Sequence, residues 1–206
     1  MPRSLFWSRT DVAGAEHTVL DDGPGFVAHG TQVAVEPVPW TCRYQLTAGA
    51  HGATTSLHVA VEGAGWSRNV RLERRADGWR VTTAEQGDLD AALRAAGHPP
   101  AGLPGAEDPD RLHDALDVDL SGSPLFNTLP IRRLGLATGA PDLAHTVTVA
   151  WVRTPSLEVV PAEQVYTPLG PGRIRFASDT FRADIVLDAD GLVLRYPGLA
   201  ERADAR

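Results

Sequence analysis

The chemistry of this sequence is concentrated in twenty residues, Asp117 to Leu136. They hold Asp117 and Asp119, the adjacent Arg132 and Arg133, an Asn127-Thr128 pair, and Pro124 and Pro130. A guanidinium group presents a planar fork of N–H donors that suits a carboxylate, a phosphate or neighbouring sugar hydroxyls. Two uses follow. One arginine can fork onto Asp117 or Asp119 and, with Asn127, lock a crossing loop. Alternatively, Arg132 or Arg133 faces a pocket with Asn127 and Asp119 and meets a ligand head group. If the stretch is extended, the two arginines point to opposite faces. The prolines cannot donate to a central ladder, so they place the motif at a crossing between strands or at an edge.

Other constellations are weaker. Glu16 and His17 lie near Trp7, and a histidine beside a carboxylate can act as a general base. Adjacent strand residues face opposite ways, however, which argues against direct cooperation. Asp117 and Asp119, with His113 nearby, offer oxygen ligands, but the seven histidines show no metal-ligand spacing, and no metal or other cofactor is assigned. Ser121 and Ser123 lack the Gly-x-Ser-x-Gly frame of a hydrolase elbow. The Gly-x-Gly spacings at 23–25, 63–65 and 170–172 do not lead from a strand into a helix, so no phosphate cradle is indicated. The chain contains no lysine, which excludes Schiff-base and P-loop chemistry. No catalytic residue is assigned. Five tryptophans can stack on sugar faces or line an apolar cavity, although most such residues in an all-β chain are core.

The elements that must position these groups are strands. Leu57, Val59 and Val61 alternate with polar residues; so do Val70 and Leu72, Trp79 and Val81, Val147, Val149 and Trp151, and Ile174 and Phe176. Cys42 shares its face with Trp40 and Tyr44, as a buried structural thiol would. Asp77-Gly78 and Asp190-Gly191 each separate two β-rich runs and mark hairpins. Both are preceded by alanine, so an internal duplication is one reading and a common turn is the other. Leu89, Ala92, Leu93 and Ala96 fall at helical spacing, with Asp88 and Gly97 as caps, predicting a short helix near 88–96. A Pro-, Gly- and acid-rich loop follows, making residues 85–113 an excursion. The expected fold is all-β: a curved antiparallel sheet of about a dozen strands closing into a roll or barrel, with residues 1–206 as a single unit.

Composition narrows the function. Residues 85–119 carry nine acids and two arginines, which accounts for the net charge of −7. The only charge asymmetry is therefore negative, and nucleic acid is not an expected partner. One cysteine fits a reducing compartment. No stretch approaches the roughly 20 apolar residues of a membrane span, and Met1–Arg9 lacks the apolar run of a secretory signal. The expected location is cytoplasmic, without integral membrane contact.

Asp117-Val-Asp-Leu, Pro124 and the run Asn-Thr-Leu-Pro-Ile-Arg-Arg-Leu from Asn127 to Leu134 resemble the bacterial family described as putative glycolipid-binding. Supporting matches are Ala15-Glu16-His17 after Trp7, Ala76 to Trp79, and Tyr196 to Leu199. The resemblance spans nearly the whole chain. Two features depart from it: a longer connection at 85–113, and Phe126 where a smaller residue is expected. The resemblance implies a barrel-like sheet similar to lipoprotein-localisation half-barrels, which hold acyl chains on a concave apolar face. It transfers no catalytic residues. The resulting expectation is a binding protein for a glycolipid or other amphiphilic small molecule. Arg132, Arg133, Asn127, Asp119, Glu16, His17 and Trp7 are its candidate ligand residues. The rival readings are an enzyme using carboxylate and histidine as acid and base, and a protein-interaction module.

Overall fold

The computed structural model describes residues 2–23, 25–179 and 181–203. Pro24, the centre of one Gly-x-Gly spacing, lies outside them. Seven strands come first: β1 (Arg3–Arg9), β2 (Gly14–Asp21), β3 (Phe26–Ala34), β4 (Trp40–Ala48), β5 (Thr54–Gly63), β6 (Trp66–Arg75) and β7 (Gly78–Gly87). Each pairs antiparallel with the next. After the helix α1 (Leu89–Ala95) come β8 (Asp117–Leu120), the helix α2 (Thr128–Arg133), β9 (His145–Val152) and β10 (Val159–Gly170). The last strands are β11 (Arg173–Ala177), β12 (Arg182–Leu187), β13 (Val193–Tyr196) and β14 (Ala200–Arg202).

The strands form one fourteen-stranded sheet. β1 joins the two meanders by pairing with β14, from Trp7 opposite Arg202 to Arg9 opposite Ala200. The outer edges are β7 and β8. β8 comes near β5: Thr54 N–H donates to Leu116 C=O (3.0 Å), and Thr54 Oγ1 accepts from Val118 N–H (3.3 Å). The ends approach but do not ladder together, so the sheet is curled and not closed. A roll is the right description, with two strands more than the dozen expected.

The alternation defines the inner wall. Leu57, Val59, Val61, Val70, Leu72, Ile174 and Phe176 are buried, as are Trp40, Cys42 and Tyr44. Gly30 of β3 also faces inward. A Cβ there would lie 2.1 Å from the Tyr44 ring, so only glycine lets that ring cross the neighbouring strand. The two Ala-Asp-Gly hairpins are not equivalent: one joins β6 to β7 and the other joins β12 to β13. Counted from the start of each antiparallel meander, β1 and β9, they differ by two strands, which gives a duplication no support. α1 forms where expected, with Asp88 accepting from Ala91 N–H (2.8 Å) and Leu89 and Leu93 buried.

The signature motif is not extended. β8 and β9 are parallel neighbours, and parallel neighbours require a crossing segment. Here it is helical: a 3-10 turn at Pro124–Asn127, then α2, then a 3-10 turn at Leu136–Thr138. Pro130 falls in the first turn of α2, where its missing N–H costs no hydrogen bond. Leu125, Phe126, Leu129 and Ile131 are buried inside the roll, and the Phe126 ring meets Tyr44 edge-on at 5.2 Å. The larger residue at 126 thus fills space against β4. Because the segment is helical, Arg132 and Arg133 diverge by about 100° and not by the 180° of a strand.

Arg133 takes up Asp117, which is completely buried. Its Nη2 lies 2.5 Å from Asp117 Oδ2, and Nε lies 3.3 and 3.2 Å from the two carboxylate oxygens. Arg133→Ala would strand this carboxylate and should cost about 3 kcal/mol of stability in urea unfolding. The double change Asp117→Asn with Arg133→Met should recover most of that loss. An Arg133→Ala protein as stable as the parent would contradict the role of the pair.

Candidate functional site

The helical crossing fills much of the roll but leaves a cavity of about 590 Å³ beside it. Its wall combines Asp119 of β8, Trp151 of β9, Gln164 of β10, Phe176 of β11, Tyr196 of β13 and Asn127 at the start of the helix. The aromatic side is continuous. Phe176 lies 5.4 Å from Tyr166 and 5.8 Å from Tyr196, and Phe181 lies 5.8 Å from Tyr196, ring centre to ring centre. Trp151 carries the Arg153 guanidinium 4.5 Å from its ring centre, and Arg153 pairs with Glu158 at 2.8 Å.

A directional hydrogen-bond chain forms the polar side. Asn127 Nδ2 donates to the Tyr166 hydroxyl (2.9 Å), which donates to Gln164 Oε1 (2.8 Å). Gln164 Nε2 donates to Asp119 Oδ2 (2.6 Å). Burial pushes Asp119 up to about 6, against the opposing pull of Gln164 and the Leu120 N–H. Burial and the nearby Asp119 hold Tyr166 well above its usual range, so its hydroxyl stays protonated and able to donate.

Glu16 makes a second polar centre behind the cavity wall. Its Oε1 accepts from Tyr44 OH, from Ser123 Oγ (2.6 Å) and from Thr18 Oγ1 (3.3 Å). Among the described residues, neither Glu16 Oε2 nor Gln32 Oε1 has a hydrogen-bond partner, although Glu16 and Gln32 sit directly opposite on β2 and β3. Both atoms are acceptors, so a proton on Glu16 Oε2 would supply the donor that this pair of strand neighbours otherwise lacks. Burial pushes Glu16 up to about 7, opposed chiefly by its bonds to Ser123, Tyr44 and Thr18. Gln32 Nε2 also donates to Ser121 C=O (3.3 Å). Glu16 and Gln32 therefore fasten the Ser121–Ser123 turn, which lines the cavity.

The remaining sequence candidates are dispersed. His17 lies on the outer face, in contact with Ser4 Oγ at 2.9 Å, so it cannot act with Glu16. Trp7 is fully buried, its indole N–H donating to Val193 C=O (2.9 Å), and it does not reach the cavity. Arg132 and Arg133 line a separate depression of about 310 Å³ near Gly49–Gly52. Arg132 binds Asp22 (3.0 Å) and Asp190 C=O (2.9 Å) across Phe26, and Arg133 binds Asp117. The helical course of the motif carries both guanidinium groups to aspartates and away from Asn127. No group of three or more His, Cys, Asp and Glu side chains among the described residues is placed to hold a metal.

Gln164, Tyr166 and Tyr196 were missed. Their signal is a polar side chain in phase with buried apolar ones: Gln164 and Tyr166 share the inward face of β10. Glu16, Thr18 and Gln32 show the same pattern on β2 and β3.

The raised Glu16 predicts a pH dependence. Between its usual value near 4.5 and about 7, the folded chain keeps a proton that the unfolded chain releases. Stability therefore falls as pH rises through that window, by up to about 3 kcal/mol, and this contribution is flat above it. Glu16→Gln supplies a permanent donor toward Gln32. In urea unfolding the variant should lack this loss and be the more stable protein above about pH 7.5. Parallel pH profiles for parent and variant would contradict a proton on Glu16.

Comparison with known proteins agrees with this architecture. A crystal structure of a DUF1089 family protein from Pseudomonas aeruginosa superposes with a TM-score of 0.67, at 23% identity, covering 91% of each chain. That likeness speaks for the fold. Among curated proteins no match was found. The model of the family described as putative glycolipid-binding matches residues 4–202, nearly the full length, and the chain belongs to that family.

Proposed function

We propose that the chain, acting as one unit in the cytoplasm, binds an amphiphilic small molecule such as a glycolipid in the cavity between β8 and β13. The supporting observation is the cavity itself. About 590 Å³ lies within the usual range for small-ligand sites, and its wall pairs aromatic surface with a few convergent polar groups. Trp151 and the Phe176–Tyr196 surface would take a sugar face or an alkyl segment, since aromatic rings offer large apolar faces. Asp119 and Gln164 would take hydroxyls, for which an aspartate is a good acceptor. The family description supports the same reading.

The site residues in this proposal are Asp119, Asn127, Gln164 and Trp151, with Ser123 linking them to Glu16. Arg132 and Arg133 serve the scaffold. Binding requires no chemistry, and Glu16 and His17 on opposite faces give an acid–base mechanism no paired groups. No helix among the described residues is long and apolar enough to cross a membrane.

Native mass spectrometry of the protein purified from its host should show a co-purifying amphiphile. Octyl glucoside titrated into delipidated protein should bind, and Trp151→Ala should weaken it about tenfold. A bare mass together with no octyl glucoside binding would remove the proposal.

A further inference from the structure

From the charges around the cavity, we infer that it selects amphiphiles whose head group donates hydrogen bonds and carries no negative charge, favouring a protonated amine over a hydroxyl. The inference rests on the ligand site proposed above and deepens it.

One carboxylate, Asp119, faces the cavity from β8, and two exposed acidic residues, Glu163 and Asp179, stand at its border, Glu163 on the outward phase of β10. Among the described residues, none of them is in an ion pair. The single arginine in the wall, Arg153, is already paired with Glu158 and stacked on Trp151. Arg9, whose guanidinium packs against Gly122 of the wall, is paired with Asp11, and Arg133, farther along the helix, belongs to Asp117. A phosphate, sulfate or carboxylate head would meet the Asp119 carboxylate, which no cation offsets, with the exposed Glu163 and Asp179 adding negative charge at the border. An ammonium group would supply the missing counter-charge.

The hydrogen-bond chain has the same polarity. From Asn127 through Tyr166 and Gln164, each side chain passes its donor on, and the chain ends on the acceptor Asp119. What remains at its end is a carboxylate in a partly buried setting, where a charge-assisted donor is worth roughly twice a neutral one. The ionisable groups around Asp119 are Tyr166 of β10 and Tyr196 of β13, both raised, with Asp117 held by Arg133 on its own strand. Glu163, Asp179 and Arg153 complete the wall. The about-6 value of Asp119 sets the window. Above it the carboxylate is ionised; below it the acid is neutral and the preference for an ammonium disappears.

Three probes with one alkyl chain separate the possibilities: octylammonium, octyl glucoside and octyl phosphate, titrated calorimetrically into delipidated protein at about pH 7.5, where Asp119 is ionised. Octylammonium should bind about tenfold more tightly than octyl glucoside, and octyl phosphate about tenfold or more weakly. At about pH 5 the octylammonium advantage should vanish while octyl glucoside affinity holds. Asp119→Asn should remove the advantage at both values. The thermal midpoint of the variant is read alongside, and the pH arm on the parent protein tests the same group without a substitution. Octyl phosphate matching octyl glucoside, or an ammonium advantage that survives both acid and Asp119→Asn, would overturn the selectivity while leaving the cavity a ligand site. If none of the three probes binds, the ligand site fails and the selectivity fails with it.

Discussion

The buried pair between Arg133 and Asp117 decides what the inside of this roll contains. Asp117 is inaccessible on β8, and Arg133 ends the helix α2, so their contact fixes the crossing segment against the edge of the sheet. With α2 held there, Leu125 and Phe126 reach the first meander, and Asn127 reaches Tyr166 in the second. The crossing segment thus bridges two hydrophobic clusters, Leu129 in one and Ile131 in the other. A sheet of fourteen strands curls too widely for its own side chains to fill. Here the helical segment and the side chains of both meanders fill most of the interior, and a cavity of about 590 Å³ remains beside the helix.

Of the three carboxyl groups raised by burial, Asp117 is held by Arg133, and the other two divide the work. Glu16 is sealed among Tyr44, Thr18, Ser123 and Gln32, where a neutral acid satisfies an acceptor that a carboxylate leaves orphaned. Its task is structural: it fastens the turn that forms one wall. Asp119 has a single side-chain donor from Gln164 and a face on the cavity. Burial raises both groups, but only Asp119 has room beside it for a guest. The difference follows from which strand each occupies: β2 lies under the helical plug and β8 lies at its rim.

Much of this was legible in the sequence. Period-2 alternation locates the strands, and the capped Leu89–Ala95 segment is found for the right reason. The motif from Asn127 to Leu134 shows itself as unusual, and side-chain chemistry pairs one of its arginines with Asp117 or Asp119, the structure selecting Asp117. Its secondary structure did not follow. The prolines place it at a crossing between strands, as found, but that the crossing is helical follows only from the parallel pairing of β8 with β9, a long-range fact that demands a crossover. That helical course sends Arg132 to Asp22 and takes both arginines out of the expected site. Gln164 and Tyr166 went unremarked because an inward polar residue is visible only once the phase of its strand is known.

The most direct test is a crystal structure of the delipidated protein soaked with octyl glucoside. The glucose ring should lie in the cavity against Trp151, with a hydroxyl donating to Asp119. Density for the sugar in the depression beside Arg132 and Arg133, with the cavity empty, would contradict the account.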